Sequence, residues 1–280
     1  MPEEYLKNCP LLRDTSFMNL MVRRICNVLI IANPYDAFML EDDGRVDEKI
    51  FDEYAKLGLR YPPRFFQVAS AREADEELQN TSFDLVICMP GAEDNDVFDI
   101  ARSIKERFRE IPLVVLTPFS HGITRRMENE DLSIFEYVFC WLGNTDLLIS
   151  IIKLIEDKMN LEHDVNEAGV QMILLVEDSI RYYSSILPYL YRFVLRQSLE
   201  FATEALNSQL EMLRMRGRPK IVLARNYEEA WELYTRYKDQ TLGVISDCRF
   251  PRGGVTDELA GFDLLSAMRR EDPYLPLILQ

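Results

Sequence analysis

Two short apolar runs in the second half of the chain end on carboxylates. Residues 172–176, reading MILLV, are followed at once by Glu177 and Asp178, and residues 242–246, LGVIS, are followed by Asp247, with Pro251 four positions further on. Apolar runs bounded by turn-forming residues are the pattern of strands in a covered parallel sheet, and open α/β sheets bind their ligands at the strands' carboxyl ends. As strand ends, these positions bring three acids together. Like charges at such spacing repel unless a cation compensates, and Mg²⁺ suits an all-oxygen set because it keeps waters that exchange for phosphate oxygens. An aspartate beside such a metal is a nucleophile toward a phosphoryl group, giving an acyl phosphate; Asp247 is the candidate. The competing reading places each acid at a strand-to-helix junction only to complement the next helix's N-terminus. A lone acid fits that reading, whereas a pair plus a third acid at the matching strand end reads as a site.

The elements that must position these acids alternate along the whole chain. In the first half the pattern predicts strands at 28–32, 65–69, 84–89, 113–116 and 137–140. Helices are expected at 50–57, from Ser70 with Glu73 as a capping box, at 97–108, over a short polar stretch before 137, and at 144–159. An amphipathic helix over 11–25, with Phe17, Leu20, Met21 and Ile25 at helical spacing, precedes them. The second half starts again with a strand at 172–176, a largely helical tract at 180–215, and a strand at 221–224. A helix capped by Asn226 with Glu229, a strand at 242–247, a loop, a helix at 262–268 and a strand at 275–279 follow. Such alternation implies right-handed βαβ units and parallel sheets. The polar stretch 162–168 marks the boundary. The expected organisation is an N-terminal helical extension (1–26), a first α/β domain (27–160), a linker (161–169) and a second α/β domain (170–280). The halves align as an internal repeat, 28–31 with 173–176, 84–89 with 242–247, and IPLVVL with LPLIL, which indicates duplicated domains. By that alignment the second copy stops after its fourth strand.

A formal net charge of -15 over 280 residues, with a pI near 4.7, argues against nucleic-acid and anionic-membrane partners, which need clustered Lys and Arg. No apolar run approaches a membrane span, and MPEEYLKNCP lacks a signal pattern, so a cytoplasmic location is expected. The five cysteines have no CxxC spacing and read as small buried hydrophobes, while the two histidines, His121 and His163, offer no cluster for a transition metal or a nucleophilic triad. Arg214, Arg216, Arg218 and Lys220 read as a solvated helix end, and Tyr182, Tyr183, Tyr189, Tyr191 and Phe193 as core packing. Gly253 and Gly254, without a following Lys and Ser/Thr, make a turn and no P-loop.

With ILLVEDS at 173–179 and DCRFP at 247–251, the second half resembles the receiver domain of two-component response regulators. The resemblance implies a flavodoxin-like sheet in each half, the second incomplete after its fourth strand. It implies Asp247 as the phospho-acceptor, with Glu177, Asp178, Asp247 and the main-chain carbonyl of Arg249 as Mg²⁺ ligands. It also implies a phosphodonor partner, a histidine kinase or a small phosphodonor, acting on a downstream output domain. The long insertion between the first two strands and the stretched loop at 252–260 depart from the family, and its switch Ser/Thr and Lys positions fall after Gln280. The first half resembles the same family without its chemistry. Ala32 and Asn33 replace the acid pair, Met89 replaces the acceptor, Cys140 stands at the Lys position, and only Thr117 matches, so this half reads as a pseudo-receiver serving packing, dimerisation or sensing by contact. The whole chain, through RYYSSILPYLY and MLRMRGRPKI, also resembles the N-terminal regulatory region of bacterial phosphoenolpyruvate synthase or pyruvate phosphate dikinase-like proteins. On that resemblance the chain is regulatory and not itself an enzyme, and a non-phosphorylated interaction or homo-oligomerisation scaffold is the alternative function. A small-molecule phosphatase with an aspartyl nucleophile is disfavoured because Arg249 stands where a second acid would be needed.

Overall fold

The computed structural model describes residues 19–41, 46–59, 61–90, 97–118, 131–141, 143–203 and 215–280. They divide into two compact units. The first comprises residues 24–152 with 184–188; the second comprises the described residues up to 23 together with 153–183 and 189–280.

The first unit holds β1 (Asn27–Ile31), α1 (Pro34–Glu41), α2 (Val46–Lys56), β2 (Arg64–Val68), α3 (Ala71–Asn80), β3 (Leu85–Cys88), α4 (Val97–Arg107), β4 (Leu113–Pro118) and β5 (Tyr137–Trp141). Its five strands are parallel and ordered β2-β1-β3-β4-β5. All of β3 and the VLII run of β1 are buried, because a strand covered by helices on both faces has no polar side. Ser70 caps α3 as expected: its Oγ accepts from Glu73 N at 3.3 Å while Glu73 Oε2 accepts from Ala69 N at 2.8 Å. Helix α1 has no counterpart in the sequence reading. Asn33 nucleates it, its Oδ1 accepting from Asp36 N and its Nδ2 donating to Asp36 Oδ2, both at 2.8 Å.

Helix α5 (Asp146–Ala168) contributes its residues up to Ile152 to the first unit and the rest to the second. In the second unit follow β6 (Met172–Val176), α6 (Ile180–Thr203, apart from its residues 184–188), β7 (Lys220–Ala224), α7 (Tyr227–Arg236), β8 (Thr241–Ser246), β9 (Phe250–Arg252), β10 (Val255–Asp257), α8 (Ala260–Glu271) and β11 (Leu277–Leu279). Four of these strands form a parallel sheet in the order β11-β8-β6-β7. Renumbered within each unit, the two sheets run 2-1-3-4-5 and 2-1-3-4, the doubly wound flavodoxin-like order with its crevice between strands 1 and 3. Met172, Leu174 and Val176 of β6, Tyr234 of α7, Phe250, and Leu264 and Met268 of α8 form one buried core in the second unit.

Several expectations need correction. The segment 161–169, read as a linker, is helical as far as Ala168. Leu161 is buried, Val165 packs on the core, Asp164 is fully buried, and the helix stops only at Gly169, whose φ of 62° admits the left-handed turn. Of the helix expected at 11–25, residues 11–18 lie outside the described residues and 19–25 are not α-helical. Met21 takes a φ of 54° and its N donates to Asp164 Oδ1 at 3.0 Å. The basic run is not a solvated helix end: Arg218 and Lys220 are buried, at 4% and 0% exposure, while Arg214 lies outside the described residues. The aromatic run divides, with Tyr183 and Tyr191 buried but Tyr182, Tyr189 and Phe193 exposed. Cys88 and Cys140 are buried as expected, Cys26 is exposed and Cys248 half-buried; Cys9, His121 and the polar stretch at 119–130 lie outside the described residues. No helix among the described residues is long and apolar enough to cross a membrane.

Candidate metal and acceptor site

Adjacent parallel strands β6 and β8 deliver the acids. Val176 pairs with Ser246 at the ends of the two strands, so the residues that follow emerge side by side at the carboxyl edge. Main-chain bonds fix both exits: Glu177 N donates to Ala224 O at 3.0 Å and Asp247 N donates to Val176 O at 2.9 Å. The structure brings Glu177, Asp178 and Asp247 together, with one carboxylate oxygen from each lying within 4.8 Å of the others. Arg249 joins them through its main chain, its N donating to Asp247 Oδ2 at 3.2 Å.

The electrostatics of the group are those of crowded acids. Glu177 is buried, and burial, reinforced by the charges of Asp247 and Asp178, pushes its carboxyl up to about 7 against one opposing hydrogen bond from Ser179 N. Burial likewise raises Asp178, with Asp247 adding to the rise and the Arg249 charge opposing it. A hard divalent cation with oxygen ligands fits such a donor set, because it compensates charges that the protein groups leave uncompensated. Glu177, Asp178 and Asp247 would hold it.

One residue that positions Asp247 was missed by sequence reasoning. A Cβ built on Gly261, at the start of α8, would lie 1.9 Å from Asp247 O and 2.9 Å from its carbonyl carbon. Only glycine permits that approach. Gly261 N donates to Cys248 O at 2.9 Å, and Ser246 Oγ donates to Asp247 O at 2.8 Å. The peptide after Asp247 is therefore clasped between β8 and α8. The only sequence sign of this was a glycine at a helix start, where a cap or a helix former is commoner.

The stretch read as a stretched loop is instead the β9–β10 hairpin. Arg252 pairs with Val255 around Gly253 and Gly254, whose φ values of 60° and 79° are those of a type I′ turn. Gly253 N donates to Glu228 Oε1 at 2.8 Å, Arg252 lies 4.3 Å from the Tyr227 ring centroid, and Arg252 also reaches Asp263 at 3.0 Å. The hairpin is thus fastened to both α7 and α8.

A second charged group was also missed. Arg218 binds Asp157 through two nitrogens at 2.6 and 2.9 Å, and Lys220 meets Asp164 at 2.7 Å and Asp157 at 3.9 Å. Tyr191 donates to Asp157 Oδ2 at 2.9 Å. Burial works against the Lys220 charge and wins, lowering its pKa despite the two aspartates. For Arg218 burial acts the same way but Asp157 outweighs it, and the group is held above its usual range. With its carboxylates satisfied by cations, this cluster is structural.

The first unit repeats the backbone of the site without its acids. Ala32 N donates to Val68 O at 3.1 Å and Met89 N to Ile31 O at 2.8 Å, the counterparts of the Glu177 and Asp247 bonds. Ala32 and Met89 are buried, Asn33 is engaged with Asp36, and Cys140 N donates to Ser184 Oγ at 3.0 Å. Thr117 is buried at the end of β4.

Two parallel-sheet α/β units of one strand order, one of them carrying a carboxylate triad at the carboxyl ends of its first and third strands, define the class of protein. No protein-family profile matches the chain, and no curated protein matches it. Among solved structures, a signal receiver domain from Vibrio parahaemolyticus is similar over 51% of this chain and 97% of its own, at 18% identity and a TM-score of 0.36. A glucose-galactose binding protein from Geobacillus stearothermophilus is similar over 91% of this chain and 77% of its own, at 11% identity and a TM-score of 0.25. At these scores the fold assignment rests on the strand order and not on either likeness.

Proposed function

We propose that the second unit is a Mg²⁺-dependent phospho-acceptor module of the receiver type, with Asp247 the residue phosphorylated. The observation that carries this reading is the convergence of Glu177, Asp178 and Asp247 within 4.8 Å at the edge of a doubly wound sheet. When bound, the metal would supply charge neutralisation at the transferring phosphoryl group. Asp247 supplies the nucleophile: one of its oxygens forms a bond to phosphorus, and the donor's bridging bond breaks with its electron pair leaving on the donor. Glu177 and Asp178, with Asp247, would hold the cation, while the Ser246 hydrogen bond to the Asp247 carbonyl and the Gly261 bond to Cys248 O tie down the peptide that carries the nucleophile. The donor is a phosphohistidine of a kinase or a small acyl phosphate, the output lies in a partner domain, and the chain is regulatory, working in the cytoplasm.

The first unit has the frame with apolar groups at the corresponding positions, Ala32 and Met89. That observation supports a scaffold role for this unit, in packing or self-association, beside the acceptor role of the second. Calorimetric titration with Mg²⁺ tests the reading. One site per chain, lost in Asp178→Ala, is expected, and an unchanged isotherm in that variant would exclude the triad as the site.

A further inference from the structure

Phosphorylation of Asp247 changes the charge balance of the site. On the acceptor reading above, on which this inference rests, the phosphoryl group brings about two negative charges beside the carboxylates of Glu177 and Asp178, and one divalent cation offsets only about half of the total. A further cation is needed at the phosphoryl oxygens. Arg249 is placed to supply it. Its main-chain N is bonded to Asp247 Oδ2 at 3.2 Å, so the residue is anchored beside the accepting carboxylate. Its side chain is 61% exposed, and its Nε meets Glu258 Oε1 at 3.3 Å, with Glu258 itself 73% exposed. A solvent-exposed ion pair of that kind is weak and readily exchanged. A guanidinium on a phosphoryl group makes charge-assisted, bidentate bonds, which are stronger.

We propose that Arg249 recognises the phosphoryl oxygens on Asp247, and that phosphorylation moves its guanidinium from Glu258 to the phosphoryl group. With a small acyl phosphate as donor, an Asp247 oxygen forms the new P–O bond, the donor's P–O bond breaks, and the donor oxygen leaves as a carboxylate with the electron pair. Arg249 keeps its protons throughout. Arg249 and Glu258 flank the β9–β10 hairpin, so the exchange unclips the hairpin's base while Glu228 and Asp263 still hold its tip. Leu259 and Phe262, 59% and 56% exposed beside that base, form the surface that the exchange would alter.

Calorimetry on the 280-residue chain tests this, with Mg²⁺ alone and with Mg²⁺ plus beryllium trifluoride, which adds to a carboxylate as a phosphoryl mimic. Arg249→Gln should bind Mg²⁺ at least as tightly as wild type, since a positive charge near the carboxylates is gone, yet lose roughly tenfold or more in affinity for the mimic. Arg249→Lys should recover part of that loss. Glu258→Gln should tighten the mimic by about two- to fivefold and leave Mg²⁺ unchanged. Equal effects of Arg249→Gln on the two ligands, no effect on either, or a weaker mimic in Glu258→Gln would overturn the proposal. A wild-type chain that binds no Mg²⁺ would remove the acceptor reading itself; a wild type that binds both ligands beside indifferent variants would remove only the role of Arg249.

Discussion

Glu177 makes the second unit less stable as pH rises. Its carboxyl titrates near 7 in the folded chain against an ordinary 4.5, so between those values the native state holds a proton that the unfolded state has released. Stability from this group is fully present below about 4.5 and is lost as pH climbs through about 7. The full shift corresponds to about 3 kcal/mol, and the raised Asp178 acts in the same direction. Glu177→Gln keeps an oxygen for Ser179 N and removes the charge. It should leave stability at pH 5 nearly unchanged and raise it at pH 8 by about 2 to 3 kcal/mol. Mg²⁺ should reverse the wild-type penalty, since a ligand at a hundred times its Kd adds about 2.7 kcal/mol, and should do little for the variant. Urea unfolding at pH 5, 6, 7 and 8 reads this out through Trp231, whose ring lies 5.8 Å from that of Tyr234 in a tilted pair, in a Trp141→Phe background that silences the first unit. A second unit whose stability rises from pH 5 to pH 8 without metal, or a Gln variant with no advantage at pH 8, would refute the reasoning.

Other perturbations separate the clasp from the structural charges. Gly261→Ala forces a methyl into the Asp247 carbonyl; a loss of about 1 to 3 kcal/mol from overpacking should accompany weaker Mg²⁺ binding, read by unfolding and calorimetry on one preparation. Lys220→Met leaves the buried Asp164 without its cation and should cost about 3 to 5 kcal/mol, part of it regained in the double variant with Asp164→Asn, as a double-mutant cycle will show. Cys88, its thiol pushed up to about 12 by burial, should resist alkylation in the folded chain and react once urea unfolds the first unit, which timed mass spectrometry follows.

The alternation of elements and the acid positions were legible in the sequence because strands of a doubly covered parallel sheet must be apolar throughout, and the chain change at their carboxyl ends is abrupt. VLII, LVIC and MILLV announce themselves in this way; Glu177 and Asp178 stand where MILLV stops, and Asp247 where LGVIS stops. The capping residues Ser70 and Asn226 were readable for a related reason: a cap is local, its side-chain oxygen accepting from the main-chain N–H three positions on. The end of α5 was not. Its Asp157 and Asp164 look like solvent-facing residues until Arg218 and Lys220, over fifty residues away in sequence, arrive to neutralise them. Charge pairing at that separation leaves no periodic trace. The β9–β10 hairpin escaped because three-residue strands are too short to show alternation, although its Gly-Gly turn was visible. The clasp at Gly261 escaped because close approach is a property of the packed fold, and a glycine without a neighbour in view is only a glycine.

Intact-mass spectrometry of the 280-residue chain after incubation with a small acyl phosphate tests the central claim most directly. One added phosphate in the presence of Mg²⁺, none with chelator and none in Asp247→Asn, is the result the account predicts. No uptake by the wild type, or uptake that persists in Asp247→Asn, would contradict it.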